Sequence, residues 1–120
     1  MTFLRKLFGK TATPAAPAPE HAVLVSFQYG EATLKPLFAL ERRLLDAVSS
    51  AGAGEYDGHE IAVDLSHGTL YMYGPDADAL FAAVQPVLAA TPFLAHARVT
   101  LRYGPPEDGV RQQEISVYVH

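Results

Sequence analysis

From residue 21 onward the hydrophobic rhythm of this chain switches between period two and period 3.6, and that switching restricts the fold more than any other feature. "AVLVSFQY" (22–29) sets Val23, Val25, Phe27 and Tyr29 at alternate positions, as in a strand with one buried face. Pro36 then suits a first helical turn, where its missing N–H is not needed. Leu37, Leu40, Leu44, Leu45 and Val48 follow at helical spacing, opposite Glu41, Arg42 and Asp46, and "SSAGAG" ends the helix. In "HEIAVDLSHGTLYMYG", Ile61, Val63 and Leu65 alternate on one arm and Leu70 and Met72 on the other, with Ser66, His67 and Gly68 as the turn of a hairpin. "GPDADALFAAVQPVLAA" reads as a second helix, capped by Asp76 or its neighbour and striped by Leu80, Val84, Val87 and Leu88. Pro86 is expected to bend or break its last turn. "ARVTLRYG" and "EISVYV" alternate again on either side of a "PPEDG" loop.

The order β-α-β-β-α-β-β predicts an α+β domain with one antiparallel sheet and both helices on its apolar face. Right-handed crossovers with short connections point to a ferredoxin-like β-α-β-β-α-β plait. Its spatial order would be 2-3-1-4, with the additional C-terminal strand beside the fourth.

Ahead of this domain (21–120), "TATPAAPAPE" (11–20) is the composition of a semi-extended linker. Residues 1–10 carry Arg5, Lys6 and Lys10 with Phe3, Leu4, Leu7 and Phe8, a basic amphipathic tail. Such a segment can touch an anionic membrane, but about two turns of helix are marginal in water, so membrane contact is not the favoured reading. It lacks the longer apolar core and cleavage site of a signal peptide.

The net charge of −4 hides an asymmetry: beyond the tail, 6 basic side chains face 13 acidic ones. A body this acidic disfavours a nucleic-acid partner, since binding a phosphate backbone needs clustered Lys and Arg. The chain contains no cysteine, which rules out disulfides, thiolate metal sites and a cysteine nucleophile. A cytoplasmic location fits that composition.

The plait would gather the loops "GAGEYDG", "YGPDAD" and "GPPEDG" at one end, and with them Glu55, Asp57, Glu60, Asp76, Asp78, Glu107 and Asp108. Within "GEYDGHE", Glu55, Asp57 and His59 alternate, so an extended segment would point all three the same way. With Asp76 and Asp78 they are candidate metal ligands, the oxygens suiting calcium or magnesium and the histidine admitting zinc or manganese. No EF-hand loop or His-Glu-x-x-His spacing accompanies them. The favoured reading is a turn at Asp57-Gly58, with Asp57 bonded to its own backbone. His59 beside Asp57 or Glu60 is the pairing of a general base and its orienter. There is no nucleophile elbow, and the glycines of "GAGEYDG" follow a helix, the wrong context for a dinucleotide fingerprint. Catalysis is not favoured, and no cofactor is expected.

The sheet face turned away from the helices would carry Leu24, Ser26, Gln28, Ala62, Asp64, Tyr71, Tyr73, Arg98, Arg102 and Tyr118. Tyrosine and arginine are enriched at protein interfaces, so Tyr71, Tyr73, Arg98, Arg102 and Tyr118 are candidate partner-binding residues, for a second copy or another protein. RNA-recognition modules also place aromatics on a sheet. Here the first strand has none on that face, and "TLYMYG" lacks the basic-glycine-aromatic signature.

"GEYDGHE" and "LYMYGPDADALFAAVQPVL" resemble a group of small uncharacterised bacterial proteins that share a Gly-Glu-aromatic-Asp-Gly sequence and a strand pair ending in Tyr-Gly-Pro-Asp-Ala-Asp. The resemblance covers roughly residues 22–104. It implies a bacterial, cytoplasmic domain; the group has no established activity, so it implies no functional residue. The expectation is a non-catalytic protein-binding or regulatory module using the acidic loop end or the open sheet face. The alternative is a divalent-metal site or small metal-dependent hydrolase at the acidic end, which requires Asp57, His59 and an acid of the "PDAD" turn to converge.

Overall fold

In the computed structural model, which describes residues 20–120, the first alternating stretch forms β1 (His21–Gln28). Val23, Val25 and Phe27 are buried on one side of it, and Ser26 and Gln28 are exposed on the other. The basic tail and the linker as far as residue 19 lie outside the described residues. Tyr29 is the next buried residue after Phe27 and also serves the helix that follows. Its hydroxyl accepts from the Leu37 N–H at 3.3 Å and donates to the Thr33 carbonyl at 2.5 Å. One of the donors that a helix start leaves without an intrahelical partner is thereby satisfied, where Leu34 at the cap makes no side-chain bond.

The helix, α1 (Lys35–Ala51), buries Leu37, Leu40, Leu44 and Val48 and closes on Gly52, which is left-handed at φ 61°. The chain then forms β2 (Glu55–Ile61), β3 (His67–Gly74), α2 (Ala77–Ala89), a 3-10 turn (Pro92–Leu94), β4 (Arg98–Arg102) and β5 (Gln112–Ser116). The five strands make one sheet in the order β2-β3-β1-β4-β5, antiparallel at every pairing. The domain is thus α+β, with a five-stranded antiparallel sheet and two helices. Val23, Val25, Leu70, Met72, Val99 and Leu101 on one face of the sheet form a single core with the buried stripes of α1 and α2.

Several local expectations are corrected. "GEYDGHE" is not a turn before a strand; from Glu55 on it belongs to β2. The connector to β3 comprises residues 62–66, and Val63, expected on an apolar arm, is fully exposed there. Alternation alone could not show this, because the sheet ends at Ile61 and offers Val63 no facing layer. Leu45, expected on the α1 stripe, is half-exposed. α2 runs past Pro86 to Ala89 instead of breaking. Past its end, the Thr91 hydroxyl donates to the Val87 carbonyl at 2.7 Å and accepts from Arg43 of α1 at 2.9 Å. β5 begins two residues earlier than "EISVYV" and ends at Ser116, after which the Val117 N–H donates to the Ala97 carbonyl at 2.9 Å.

The exit from α1 crosses β3 at close range. Gly54 has φ 145°, and a Cβ there would run into the Tyr73 carbonyl oxygen; one at Gly74 would meet the Ala53 carbonyl. Gly30, at φ 67°, has open space around it. Gly54→Ala is expected to cost about 3 kcal/mol or more through backbone collision, against about 1 kcal/mol for Gly30→Ala, where only the left-handed conformation is penalised. Urea unfolding of the two variants measures the difference.

Candidate functional site

β2 holds the residues that the sequence singles out, and one irregularity decides where they point. Its register with β3 pairs Tyr56 with Met72 and Gly58 with Tyr71, leaving Asp57 as the extra residue of a β-bulge. Gly58 lies at φ 113°, a conformation that favours glycine. Without the bulge, Tyr56 and His59 would face opposite sides of the sheet. With it, both pair with core-facing residues, Met72 and Leu70, and turn toward α1. Glu55 pairs with Tyr73 on the open side. Glu55 and His59, expected on one face, are therefore on opposite faces.

On the helix side, Glu41 of α1 meets the pair. Its Oε2 accepts from the Tyr56 hydroxyl at 2.5 Å and lies 2.7 Å from His59 Nδ1. The Glu41 and His59 side chains are 17% and 23% exposed, respectively, and the Phe38 ring lies 6.4 Å from the imidazole. Glu41, assigned to the solvent side from its opposition to the leucine stripe, joins the helix to the edge strand. A signal was available: Glu41 falls four residues after Leu37 and three before Leu44, at the flank of the stripe. A carboxylate on an imidazole is the pairing of an orienter and a base. Here the same oxygen also takes the tyrosine, and the arrangement closes the seam between helix and sheet.

The acidic end has a different construction from the one the loops suggest. The registers bring Glu55, Gly74 and Arg102 to one end of the sheet, where α2 begins and the β4–β5 hairpin turns. Glu60 is not there; it pairs with Thr69 toward the other end. β2 and β5 are the two edges, about 19 Å apart at the usual strand spacing, so Glu55 and the hairpin acids Glu107 and Asp108 sit at opposite edges of that end.

The two helix-start acids have structural partners. Asp76 caps α2, its Oδ1 accepting from the Asp78 and Ala79 N–H groups at 3.0 and 3.2 Å. His21 Nδ1 accepts from the Ala77 N–H at 3.0 Å. Asp78 Oδ1 accepts from the Tyr103 hydroxyl at 2.7 Å, and the Arg111 guanidinium lies 4.3 Å over the Tyr103 ring. The hydrogen bond to Asp78, with burial second, holds the Tyr103 hydroxyl above its usual value of 10.0. Among the described residues, no group of three His, Asp or Glu side chains is close enough to hold a metal ion. Of the metal candidates, Glu55 is on the open face, Asp57 is in the bulge, His59 is on the helix side, and Asp76 and Asp78 are at the start of α2.

The open face is ordered into rows. One runs Glu60–Thr69–Ser26–Arg98–Ser116, the next Gly58–Tyr71–Leu24–Thr100–Glu114, and the third Glu55–Tyr73–Ala22–Arg102–Gln112. The acids form a column on β2 and the arginines a column on β4, with Tyr71, Tyr73 and Leu24 between them. The Tyr71 hydroxyl donates to Glu60, Arg98 lies 3.4 Å from Glu114, and Arg102 Nε donates to the Gly104 carbonyl at 2.6 Å. Tyr118 follows the end of β5 and is exposed. Of the five partner-binding candidates, four lie in these rows and Tyr118 lies outside them.

No family model, no curated protein and no solved structure matches the chain.

Glu41→Ala leaves the Tyr56 hydroxyl and His59 without their shared acceptor and is expected to cost about 1–3 kcal/mol. Glu41→Gln, which keeps an acceptor oxygen, should cost less; urea midpoints at unchanged m-value measure both. Tyr103 supplies a pH test. Its hydroxyl is held above 10.0 in the fold, so the stability it contributes is complete below about pH 10 and is lost as pH rises through the folded value. Tyr103→Phe should unfold at lower urea than the parent at pH 8, with the gap closing toward pH 11.

Proposed function

We propose that this domain is a non-catalytic protein-binding or regulatory module acting through its open sheet face, on a ferredoxin-like plait extended by a fifth strand. The strand order and uniformly antiparallel pairing support the plait. The bacterial, cytoplasmic setting implied by the sequence resemblance belongs to the same reading.

One observation carries the proposal. A strip of Tyr71, Tyr73 and Leu24, all part-buried, runs between an acidic column and a basic one, and both helices lie on the other side of the sheet. Aromatic side chains offer large contact area at low entropic cost, and a charged rim sets register and discriminates among partners. The acidic end supports this less well, because Asp76 already caps α2 and Asp78 already accepts from the Tyr103 hydroxyl just past β4.

A photo-crosslinking amino acid tests the reading. Placed at Ser26, exposed on the open face, it should yield a discrete protein adduct in the cells that make the protein. At Ala82, exposed on the helix side, it should yield none. Adducts from Ala82 alone, or from neither position, overturn the proposal.

A further inference from the structure

We infer that the groove at the far end of the open face, opposite the acidic end, binds a phosphate group, as the free ion or as the monoester of a small metabolite. The inference goes beyond the protein-binding reading and stands without it, because it is read from the residues that line the groove.

The registers place those residues. Ser26 of β1 lies between Thr69 of β3 and Arg98 of β4, and Gln28 lies beside His67 one row further along. His96 precedes β4 by two residues. All six line a groove of about 320 Å³, at the small end of the range for small-molecule sites. None of the lining residues is acidic, in a chain whose residues beyond the tail include 13 acidic and 6 basic side chains. Ser26, Gln28, His67, His96 and Arg98 are all exposed, so the groove is open to a solute. Hydroxyls, an amide, two imidazoles and a guanidinium are suitable donors for a tetrahedral anion.

Two features point to a ligand. His96 stands at φ 68°, in the left-handed region, where a side chain is held at some cost, and such strain collects at binding sites. His67 is held in one tautomer. Its Nδ1 lies 2.9 Å from the Ser66 hydroxyl, and that hydroxyl donates its one hydrogen to Asp64 Oδ1 at 2.6 Å. Nδ1 must therefore supply the hydrogen to Ser66, and Nε2 carries one only when the ring is charged. Anion binding through His67 is thus coupled to proton uptake.

The charged neighbours permit this. Arg98 meets Glu114 of β5 at 3.4 Å, with the two side chains 67% and 59% exposed. A pair so open to water is weak, and it occupies only Nη1 of the guanidinium. On the β2 side, Glu60 accepts from the Tyr71 hydroxyl. Asp64 in the connector is held below the ordinary carboxylate value by its bonds to the Ser66 hydroxyl and N–H. It stays anionic beside the Ser66–His67 pair and favours the charged imidazole.

Titration of the full chain, followed by its backbone amide NMR signals, tests the inference. At an ionic strength held constant with chloride, inorganic phosphate should give saturable shifts centred on residues 26–28, 67–69 and 96–98, with dissociation in roughly the millimolar range. Glycerol phosphate, a small monoester, is the second probe. Tighter binding than inorganic phosphate assigns the site to a metabolite, equal or weaker binding to the free ion, and either supports it. Arg98→Ala should weaken phosphate binding by about tenfold. His96→Gly should weaken it by about threefold yet unfold at no lower urea than the parent, because glycine takes the left-handed conformation freely. Sulfate, whose charge is constant between about pH 6 and about pH 8, should bind about threefold more tightly at the lower value. Shifts that never saturate or that spread over the whole surface, an Arg98→Ala variant that binds like the parent, or an affinity for sulfate equal at the two pH values overturns the inference.

Discussion

Burial of one face of β1 is the constraint from which the rest of the structure follows. β1 is the middle strand of five, and Val23 and Val25 are fully buried on it, flanked by Leu70 and Met72 on β3 and by Val99 and Leu101 on β4. Each such side chain is worth about 1.5–3 kcal/mol when removed from water, and both helices are recruited to the same side to cover them. Two helices above one side of an antiparallel sheet leave the other side with a separate chemistry, which here is polar, aromatic and charged in columns.

The edges of the sheet show how that plan is completed. β2 is an edge strand, and a bare edge invites unwanted pairing. The bulge at Asp57 adds one residue, reverses the parity of everything N-terminal to it, and aims Tyr56 together with His59 at Glu41 of α1. The edge strand is thereby joined to the helix by polar contacts where the hydrophobic stripe runs out. At the opposite edge, β5 is short and strongly exposed, and the chain leaves it to bond Ala97. The carboxylates also divide by role: Glu41 and Asp78 bond side chains of other segments and Asp76 caps α2, whereas Glu55 and Glu60 stand in the columns of the open face.

Much of the scaffold was legible in the sequence, because alternation and helical spacing report directly on which side of an element is buried. Val23, Val25 and Phe27 on β1, and Leu37, Leu40, Leu44 and Val48 on α1, read correctly for that reason, while Leu45 did not. The site was less legible. A parity argument over "GEYDGHE" assumes an unbroken strand, and a single bulge in front of Gly58 defeats it. Spacing sets Glu41 opposite the leucine stripe, and local periodicity cannot show its partners, which are 15 and 18 residues away in the chain. Val63 alternates with Ile61 as a strand residue should, yet the layer that would bury it is absent at that height of the sheet.

The sequence by itself determined the inventory: the elements, their order, the acidic balance of the body and the absence of cysteine chemistry, because these depend on local periodicity and composition alone. The tertiary structure decided what faces what. Strand register set the acids of β2 in line with the arginines of β4, across three intervening gaps and more than thirty residues of chain. It also sent His59 to the helix and Glu55 to the open face. Register is a property of paired strands, and no single strand carries it.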